Sequence, residues 1–132
     1  MSIIELPLPS RDPRGSIQNL VELGLDVPKS HCIHGASVIT SRARTTRSNH
    51  YHKTDAHWLY VVSGQMHYWE RPLDAKQYAR DPVVVKAGEM IYTGPLLWHR
   101  TYFPEETVLL SLSLRPRDAS NHEADVVRDG TK

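Results

Sequence analysis

Short β-prone runs separated by turn residues recur along this chain, and they constrain its fold more than any other feature. Branched and aromatic residues fill these runs, and Gly, Pro and Ser residues stand between them. The runs cover residues 38–40, 58–62, 65–70, 82–85, 90–92 and 107–114. Strands this short and this closely spaced predict an antiparallel sandwich or barrel. The turn signal Ser63–Gly64 further predicts that residues 58–62 and 65–70 pair as a hairpin.

The rest of the chain adds little regular structure to this prediction. At most one short helix is expected, from Ile17 to Leu23, with Gly24 ending it. The 132 residues contain no repeat and no linker, so we predict a single domain over residues 1–132. The polar segment 115–132 is expected to be either a strap across the barrel or a loose tail.

Charge and composition argue against several classes of partner. A net charge of +1 gives no reason to expect nucleic acid or an acidic membrane surface. The apolar runs are far too short to span a bilayer, and the first residues lack the pattern of a signal peptide. The single cysteine, Cys32, excludes an internal disulfide and suits a reducing compartment. We therefore expect a cytoplasmic protein whose partner is a small molecule.

Four of the eight histidines fall in two short segments, which makes histidine the main functional signal. His50 and His52 are two residues apart, so on a strand both side chains point to one face. His57 follows after a short loop, and a turn at Gly94–Pro95 precedes His99. Imidazole suits Zn, Cu, Fe and Ni, and together with water it also accepts Mn. Three or four convergent imidazoles would hold one divalent ion and leave positions open for substrate.

The two histidine segments resemble the two motifs of the cupin family, H-x-H-x(3,4)-E-x(6)-G and G-x(5)-P-x-G-x(2)-H. Residues 47–64 contain the first motif and residues 88–99 the second. The matching residues are His50, His52 and Gly64 in the first motif, and Gly88 and His99 in the second. The chain departs from the pattern at His57, which replaces the glutamate, and at Gly94-Pro95-Leu96, which replaces Pro-x-Gly.

The cupin resemblance implies an all-β fold, the cupin-type double-stranded β-helix or jelly-roll barrel. It also implies one divalent transition metal, Zn, Mn, Fe or Ni, with the ligands His50, His52, His57 and His99. Without the glutamate, four imidazoles would leave the full charge of the ion in place, which favours anion binding and acidifies bound water. Barrels of this type often pair through edge strands, so we expect a homodimer.

Four further segments resemble cupins of deoxysugar and capsule biosynthesis, among them the dTDP-4-oxo-sugar 3,4-ketoisomerases. The segments are residues 12–15, 47–53 (R-G-x-H-x-H-K in those enzymes), 95–103 and 123–129. In the ketoisomerases the H-x-H pair acts as acid and base without a metal. The resemblance implies that His50 and His52 are proton shuttles and that Arg47 binds a phosphate. Those enzymes typically have glutamine where this chain has His57, which favours a metal here.

The sequence leaves three functions open. The leading prediction is a metal-dependent isomerase or epimerase that acts on a small carbohydrate or nucleotide-sugar. In it the metal polarises a carbonyl and a tyrosine, Tyr60, or His67 moves the proton. The first alternative is a metal-dependent dioxygenase or cyclase that acts on a small aromatic or diketone. The second alternative is a module that binds a small ligand without catalysis.

Overall fold

Twelve strands make up most of the structure in the part of the chain that is described. The computed structural model describes residues 3–6, 8–17, 33–114 and 124–129. The strands are β1 (Ile3–Ile4), β2 (Ser10–Asp12), β3 (Gly15–Ile17), β4 (Gly35–Ser41), β5 (Thr45–His52), β6 (His57–Ser63), β7 (Gln65–Pro72), β8 (Val83–Lys86), β9 (Met90–Thr93), β10 (Leu97–Phe103), β11 (Thr107–Ser113) and β12 (Val126–Arg128).

Ten of these strands form two five-stranded antiparallel sheets that share one core. The first sheet has the order β1-β9-β6-β11-β4 and the second β12-β5-β10-β7-β8, while β2 and β3 pair with each other. The buried core residues come from both sheets and are Val61, Ile91 and Leu109 from the first and Met66, Tyr68, Val85 and Phe103 from the second. Two antiparallel sheets packed face to face are the jelly-roll arrangement, so the predicted all-β fold is confirmed.

The predicted hairpin of residues 58–62 and 65–70 is wrong, because the turn at Gly64 carries the chain from one sheet to the other. β6 pairs with β9 and β11, whereas β7 pairs with β8 and β10. Val61 and Met66, on either side of the turn, are fully buried in the shared core. The two strands therefore bury apolar side chains in one core from opposite sheets instead of pairing side by side.

The two ends of the chain are described only in part. Ile17, the first residue of the predicted helix, ends β3, and residues 18–23 lie outside the described residues. Of the predicted strap or tail, 115–132, residues 124–129 are described, and β12 within them pairs with β5. No helix in the described part of the chain is long and apolar enough to cross a membrane.

Two residues near the histidines have a left-handed backbone conformation at positions where the resembled motifs have glycine. Leu96 occupies the glycine position of the second motif with a φ of 61°. Ser48 occupies that of the R-G-x-H-x-H-K segment with a φ of 72°. The Leu96 amide donates a 2.8 Å hydrogen bond to the His52 carbonyl, which ties this turn to β5. A residue with a Cβ pays roughly 1–2 kcal/mol for this conformation, so both positions are strained.

Leu96→Gly is expected to raise the free energy of unfolding by up to about 1 kcal/mol, because glycine adopts this φ without strain. The gain is partly offset by the larger entropy of glycine in the unfolded chain. The leucine side chain is 50% exposed, so its removal loses little buried apolar surface. Urea denaturation measures the change.

Leu73→Gly is the matched control, because Leu73 is a turn residue of similar exposure, 45%, outside the left-handed region. Here glycine relieves no strain and is expected to lower the free energy of unfolding by about 0.5–1 kcal/mol. An equal loss at Leu96 would show that its backbone is not strained.

Candidate active site

β5, β6 and β10 bring the four predicted histidines together inside the barrel. His50 and His52 alternate along β5, His57 begins β6, and His99 lies in β10. The ring centroids are 4.7 Å apart for His50 and His99, 4.9 Å for His50 and His52, and 4.4 Å for His52 and His57. Residues from the two motifs and from both sheets thus form one histidine cluster.

The histidine cluster lines a cavity of about 230 Å³ between the two sheets. The other residues of the wall are mostly apolar or hydroxyl-bearing and are Ile39, Arg47, Ser48, Leu59, Thr93, Thr101, Phe103 and Leu109. A β-bulge shapes the wall, because His99 lies opposite His50 while the next residue of β10, Arg100, lies opposite Ser48. The extra residue is Asn49, whose φ is 64°. Bulges redirect the side chains next to them, and here that side chain is His50.

His99 is a buried and neutral member of the cluster. Its side chain is almost fully buried, and Nδ1 lies 3.2 Å from the Leu97 carbonyl oxygen, which accepts a hydrogen bond only when Nδ1 carries the proton. Burial lowers the pKa of His99 to about 4, with a smaller effect from His52, although the Leu97 carbonyl acts in the opposite direction. At neutral pH the ring therefore keeps a lone pair on Nε2, as a base or a metal ligand requires.

Asp125 connects the C-terminal segment to the histidine cluster. Its carboxylate accepts hydrogen bonds from the Thr54 amide at 2.9 Å, the Thr54 hydroxyl at 2.6 Å and the Asp55 amide at 3.2 Å. Its Oδ2 lies 3.3 Å from His52 Nδ1. Burial by itself would raise the pKa of Asp125, but these hydrogen bonds and His52 together lower it. The ionised carboxylate favours the tautomer of His52 with the proton on Nδ1.

His57 lies between His52 and a second buried carboxylate, Asp55. The Nε2 atom of His57 is 3.1 Å from His52 Nε2 and 3.4 Å from Asp55 Oδ2. On the other side of the ring, Nδ1 is 3.5 Å from the Ser111 hydroxyl. Asp55 also accepts a 2.9 Å hydrogen bond from the Ala56 amide. His57, at the glutamate position of the motif, thus lies beside the carboxylate of Asp55, two residues earlier in the chain.

Two overlapping sets of side chains in this cluster have the donors that a divalent metal needs, and they share His52. One set is His50, His52 and His99, and the other is His52, Asp55 and His57. Within each set the ligand atoms all lie within 4.8 Å of one another. Imidazole nitrogens with or without one carboxylate suit Zn, Mn, Fe and Ni, so the residues present fit the predicted ion.

The remaining predicted site residues divide between the cavity and the outside of the barrel. Arg47 lines the cavity, and its Nε donates a 2.8 Å hydrogen bond to the Ser41 hydroxyl. Neither Tyr60 nor His67 is among the described residues that line the cavity. Side chains alternate along a strand, and since Leu59 faces the cavity, Tyr60 faces away from it. The structure therefore does not bring Tyr60 or His67 to the histidine cluster.

Motif matching gives no role to several polar residues that the structure places near the histidines. Asp55 lies inside the first motif and Asp125 in the segment 123–129, whose resemblance to other cupins is the one signal that points to it. Tyr68 is fully buried, and its hydroxyl donates to Glu70 at 2.9 Å and lies 2.6 Å from the hydroxyl of Thr93, a cavity residue. Burial raises the pKa of Tyr68 above its usual value, so the phenol stays protonated.

Residues 38–113 match the family model of the cupin domain, and the chain belongs to the cupin family. The matched range includes both motifs and all four histidines of the cluster. The predicted resemblance to cupins is thereby confirmed.

Solved structures of sugar 3,4-ketoisomerases are similar to nearly the whole of this chain. WlaRB, a TDP-quinovose 3,4-ketoisomerase from Campylobacter jejuni, is 26% identical with a TM-score of 0.75, over 97% of this chain and 92% of that chain. QdtA, a sugar 3,4-ketoisomerase from Thermoanaerobacterium thermosaccharolyticum in complex with TDP, is 21% identical with a TM-score of 0.73, over 98% and 88%.

A longer protein contains a similar fold. CapF, a capsular polysaccharide assembling protein from Staphylococcus aureus, is 19% identical with a TM-score of 0.63, over 97% of this chain and 32% of that chain. No curated protein matches this sequence.

Proposed function

We propose that this protein is an isomerase that moves a carbonyl to the neighbouring carbon of a sugar carried on a nucleoside diphosphate. The observation that carries the proposal is the convergence of His50, His52, His57 and His99 on one cavity of a cupin barrel. Support also comes from the structural similarity to sugar 3,4-ketoisomerases, one of them in complex with TDP. A homodimer, a single domain over residues 1–132 and a cytoplasmic location stay predictions.

The chemistry of such an isomerase is proton transfer at two adjacent carbons. A base removes the proton from the carbon that bears the hydroxyl, and the electron pair forms an enediolate with the neighbouring carbonyl. A proton is then returned to the former carbonyl carbon, and the hydroxyl proton moves from its oxygen to the former carbonyl oxygen. The oxygen that loses this proton becomes the new carbonyl, so substrate and product have the same atoms. His50, half-buried in the cavity wall, is the proposed acid and base for these transfers.

A divalent transition metal, Zn, Mn, Fe or Ni, is part of the proposal. His52 would hold it together with other members of the histidine cluster, because His52 belongs to both donor sets. When bound, such an ion would polarise the sugar carbonyl and stabilise negative charge on its oxygen. Behind the cavity wall, the Tyr68 hydroxyl lies 2.6 Å from the hydroxyl of Thr93, which faces the cavity.

Arg47 is the proposed contact for the diphosphate. Its guanidinium is held by the Ser41 hydroxyl and by the Thr40 carbonyl, which accepts a 3.0 Å hydrogen bond from Nη2. Arg47 is exposed and also lines the cavity, which places it at the cavity mouth. A guanidinium fixed in this way is preorganised for the oxygens of a phosphate.

Arg47→Lys is expected to weaken TDP binding about tenfold, because an ammonium group cannot make the bidentate contact. Isothermal titration calorimetry with TDP measures the effect. Arg42→Lys is the matched control, since Arg42 is an exposed arginine that does not line the cavity. If both variants and the native chain bound TDP with equal affinity, Arg47 would not be a contact for the diphosphate.

Turnover of candidate substrates tests the proposed reaction. The purified protein is incubated with a panel of TDP-linked oxo-sugars, phenols and diketones, with and without added metal, and products are separated by chromatography. The proposal expects an isomer of equal mass from an oxo-sugar and no oxygen consumption. Oxygen-dependent conversion of a phenol or diketone would instead support the predicted dioxygenase.

A further inference from the structure

We infer that the cation is held by a mixed set of two imidazoles and one carboxylate, those of His52, His57 and Asp55. This assignment rests on the proposed function in one respect, namely that the histidine cluster holds a divalent ion. It differs from the four-imidazole site that the sequence predicts, because Asp55 replaces His50 and His99 as a ligand. The cupin motif assigns no role to position 55.

The distances among the three side chains support this set. Two ligands about 2.0–2.2 Å from one ion, at tetrahedral or octahedral angles, lie roughly 2.8–3.6 Å apart. His52 Nε2 and His57 Nε2 are 3.1 Å apart, and His57 Nε2 and Asp55 Oδ2 are 3.4 Å apart. Both distances fall in the range for ligands of a shared ion.

Burial and charge also favour a carboxylate ligand. His52, Asp55 and His57 are only 2%, 4% and 4% exposed, so an ion among them is largely removed from water. Burying the two positive charges of a divalent ion against neutral imidazoles alone is costly, and a carboxylate ligand offsets part of that charge.

Contacts at the Nδ1 atoms of His52 and His57 orient both rings so that their Nε2 atoms point to the proposed ion. Asp125 Oδ2 lies 3.3 Å from Nδ1 of His52, and the Ser111 hydroxyl lies 3.5 Å from Nδ1 of His57. Metal-binding histidines commonly have such an oxygen on the far nitrogen, which fixes the ring and its tautomer. Asp125 also accepts hydrogen bonds from the amides of Thr54 and Asp55, so one carboxylate positions two members of the set.

The mixed set lowers the net positive charge of the proposed metal site. Asp55 supplies the anionic ligand that the cupin motif places at position 57, so the bound ion has a smaller net positive charge than four imidazoles would give it. His50 and His99 then keep their places in the cavity wall, where the proposed substrate would bind. The metal and the proton-transferring imidazole are thus separate groups, which removes the conflict of one histidine serving both purposes.

Zinc binding by the full chain tests this inference without reference to catalysis. Asp55→Asn keeps the shape of the side chain but removes its charge, and it is expected to raise the Kd for Zn²⁺ at least about tenfold in isothermal titration calorimetry. Asp74→Asn, in the exposed loop after β7, is the matched control and is expected to leave the Kd unchanged. Circular dichroism monitors folding, and Asp55→Glu, which restores a carboxylate, is expected to recover part of the affinity.

His99→Gln distinguishes the mixed set from the sets built of imidazoles alone. The inference expects this variant to bind Zn²⁺ nearly as tightly as the native chain and to give the same visible spectrum with Co²⁺. A tenfold loss of affinity in His99→Gln, with none in Asp55→Asn, would overturn the inference, as would a native chain that binds no zinc.

Catalysis is measured separately so that the two proposals fail independently. Full isomerisation by chelator-treated, metal-free protein, with no zinc binding, would overturn the mixed metal site and leave the isomerase standing. A tenfold loss of zinc affinity at Asp55→Asn, with no turnover of any oxo-sugar by the native chain, would support the metal site and remove the proposed reaction.

Discussion

Isomerisation by the His50→Asn variant is expected to be about 10²–10⁴-fold slower than by the native chain, the usual contribution of a general acid–base group. His50 lies in the cavity wall, half-buried, at the bulge that directs its side chain. Asparagine preserves polarity and much of the volume but cannot exchange a proton near neutral pH. Steady-state kinetics with a TDP-linked oxo-sugar measures the change in kcat.

His67→Asn is the matched control for this prediction. His67 lies on β7, outside the set of described residues that line the cavity, and its Nε2 is 3.2 Å from Gln65 Oε1. Its replacement is expected to leave kcat within experimental error of the native value. Since the sequence offered His67 as a proton carrier, a large loss in this variant and none in His50→Asn would reverse the assignment.

Gly64→Ala is expected to lower the free energy of unfolding by about 2–5 kcal/mol, through strain and overlap together. The φ of Gly64 is 85°, and a Cβ there would overlap Thr107 Oγ1 and lie 2.5 Å from the Glu106 carbonyl oxygen. Thr107 cannot easily yield, because its hydroxyl lies 2.9 Å from the carbonyl oxygens of both Gln65 and Glu105, and its one hydrogen is donated to one of them or shared between the two. Urea denaturation at equilibrium measures the loss.

The Gly88→Ala variant separates the effect of backbone strain from the effect of steric overlap. Gly88 has nearly the same φ, 86°, but an added Cβ meets nothing within 4 Å. This variant is therefore expected to lose only the conformational cost, about 1–2 kcal/mol. Equal losses at the two glycines would mean that the turn at Gly64 relaxes away from Thr107.

Much of the fold was readable from local sequence because strand formation depends on short runs. Four of the six predicted runs lie in β4, β6, β7 and β9, and the runs 82–85 and 107–114 overlap β8 and β11. Sheet partners were not readable, because pairing is decided by contacts between distant residues. The turn at Gly64 fits a hairpin as well as a crossing between sheets, and only the shared burial of Val61 and Met66 decides between them.

The candidate site shows the same division between local and distant information. Motif spacing predicted the convergence of the four histidines, since His50 and His52 share a strand face and the second motif fixes the position of His99. Asp125 lies 73 residues after His52 in the chain but contacts it in the structure. The spacing of residues within one motif cannot predict such a contact. Motif spacing also says nothing of which face Tyr60 takes, and the two-residue alternation of β6 places Leu59 at the cavity and the tyrosine on the other face.

The isomerase proposal is tested most directly by proton NMR of TDP-4-keto-6-deoxyglucose incubated with the protein in D₂O. A variant of QdtA, whose structure is similar to that of this chain, binds this sugar. The proposal predicts that the C3 proton exchanges with solvent deuterium, that the 3-keto isomer accumulates, and that His50→Asn shows neither. An unchanged spectrum in the presence of the native protein, with and without added divalent metal, would contradict it.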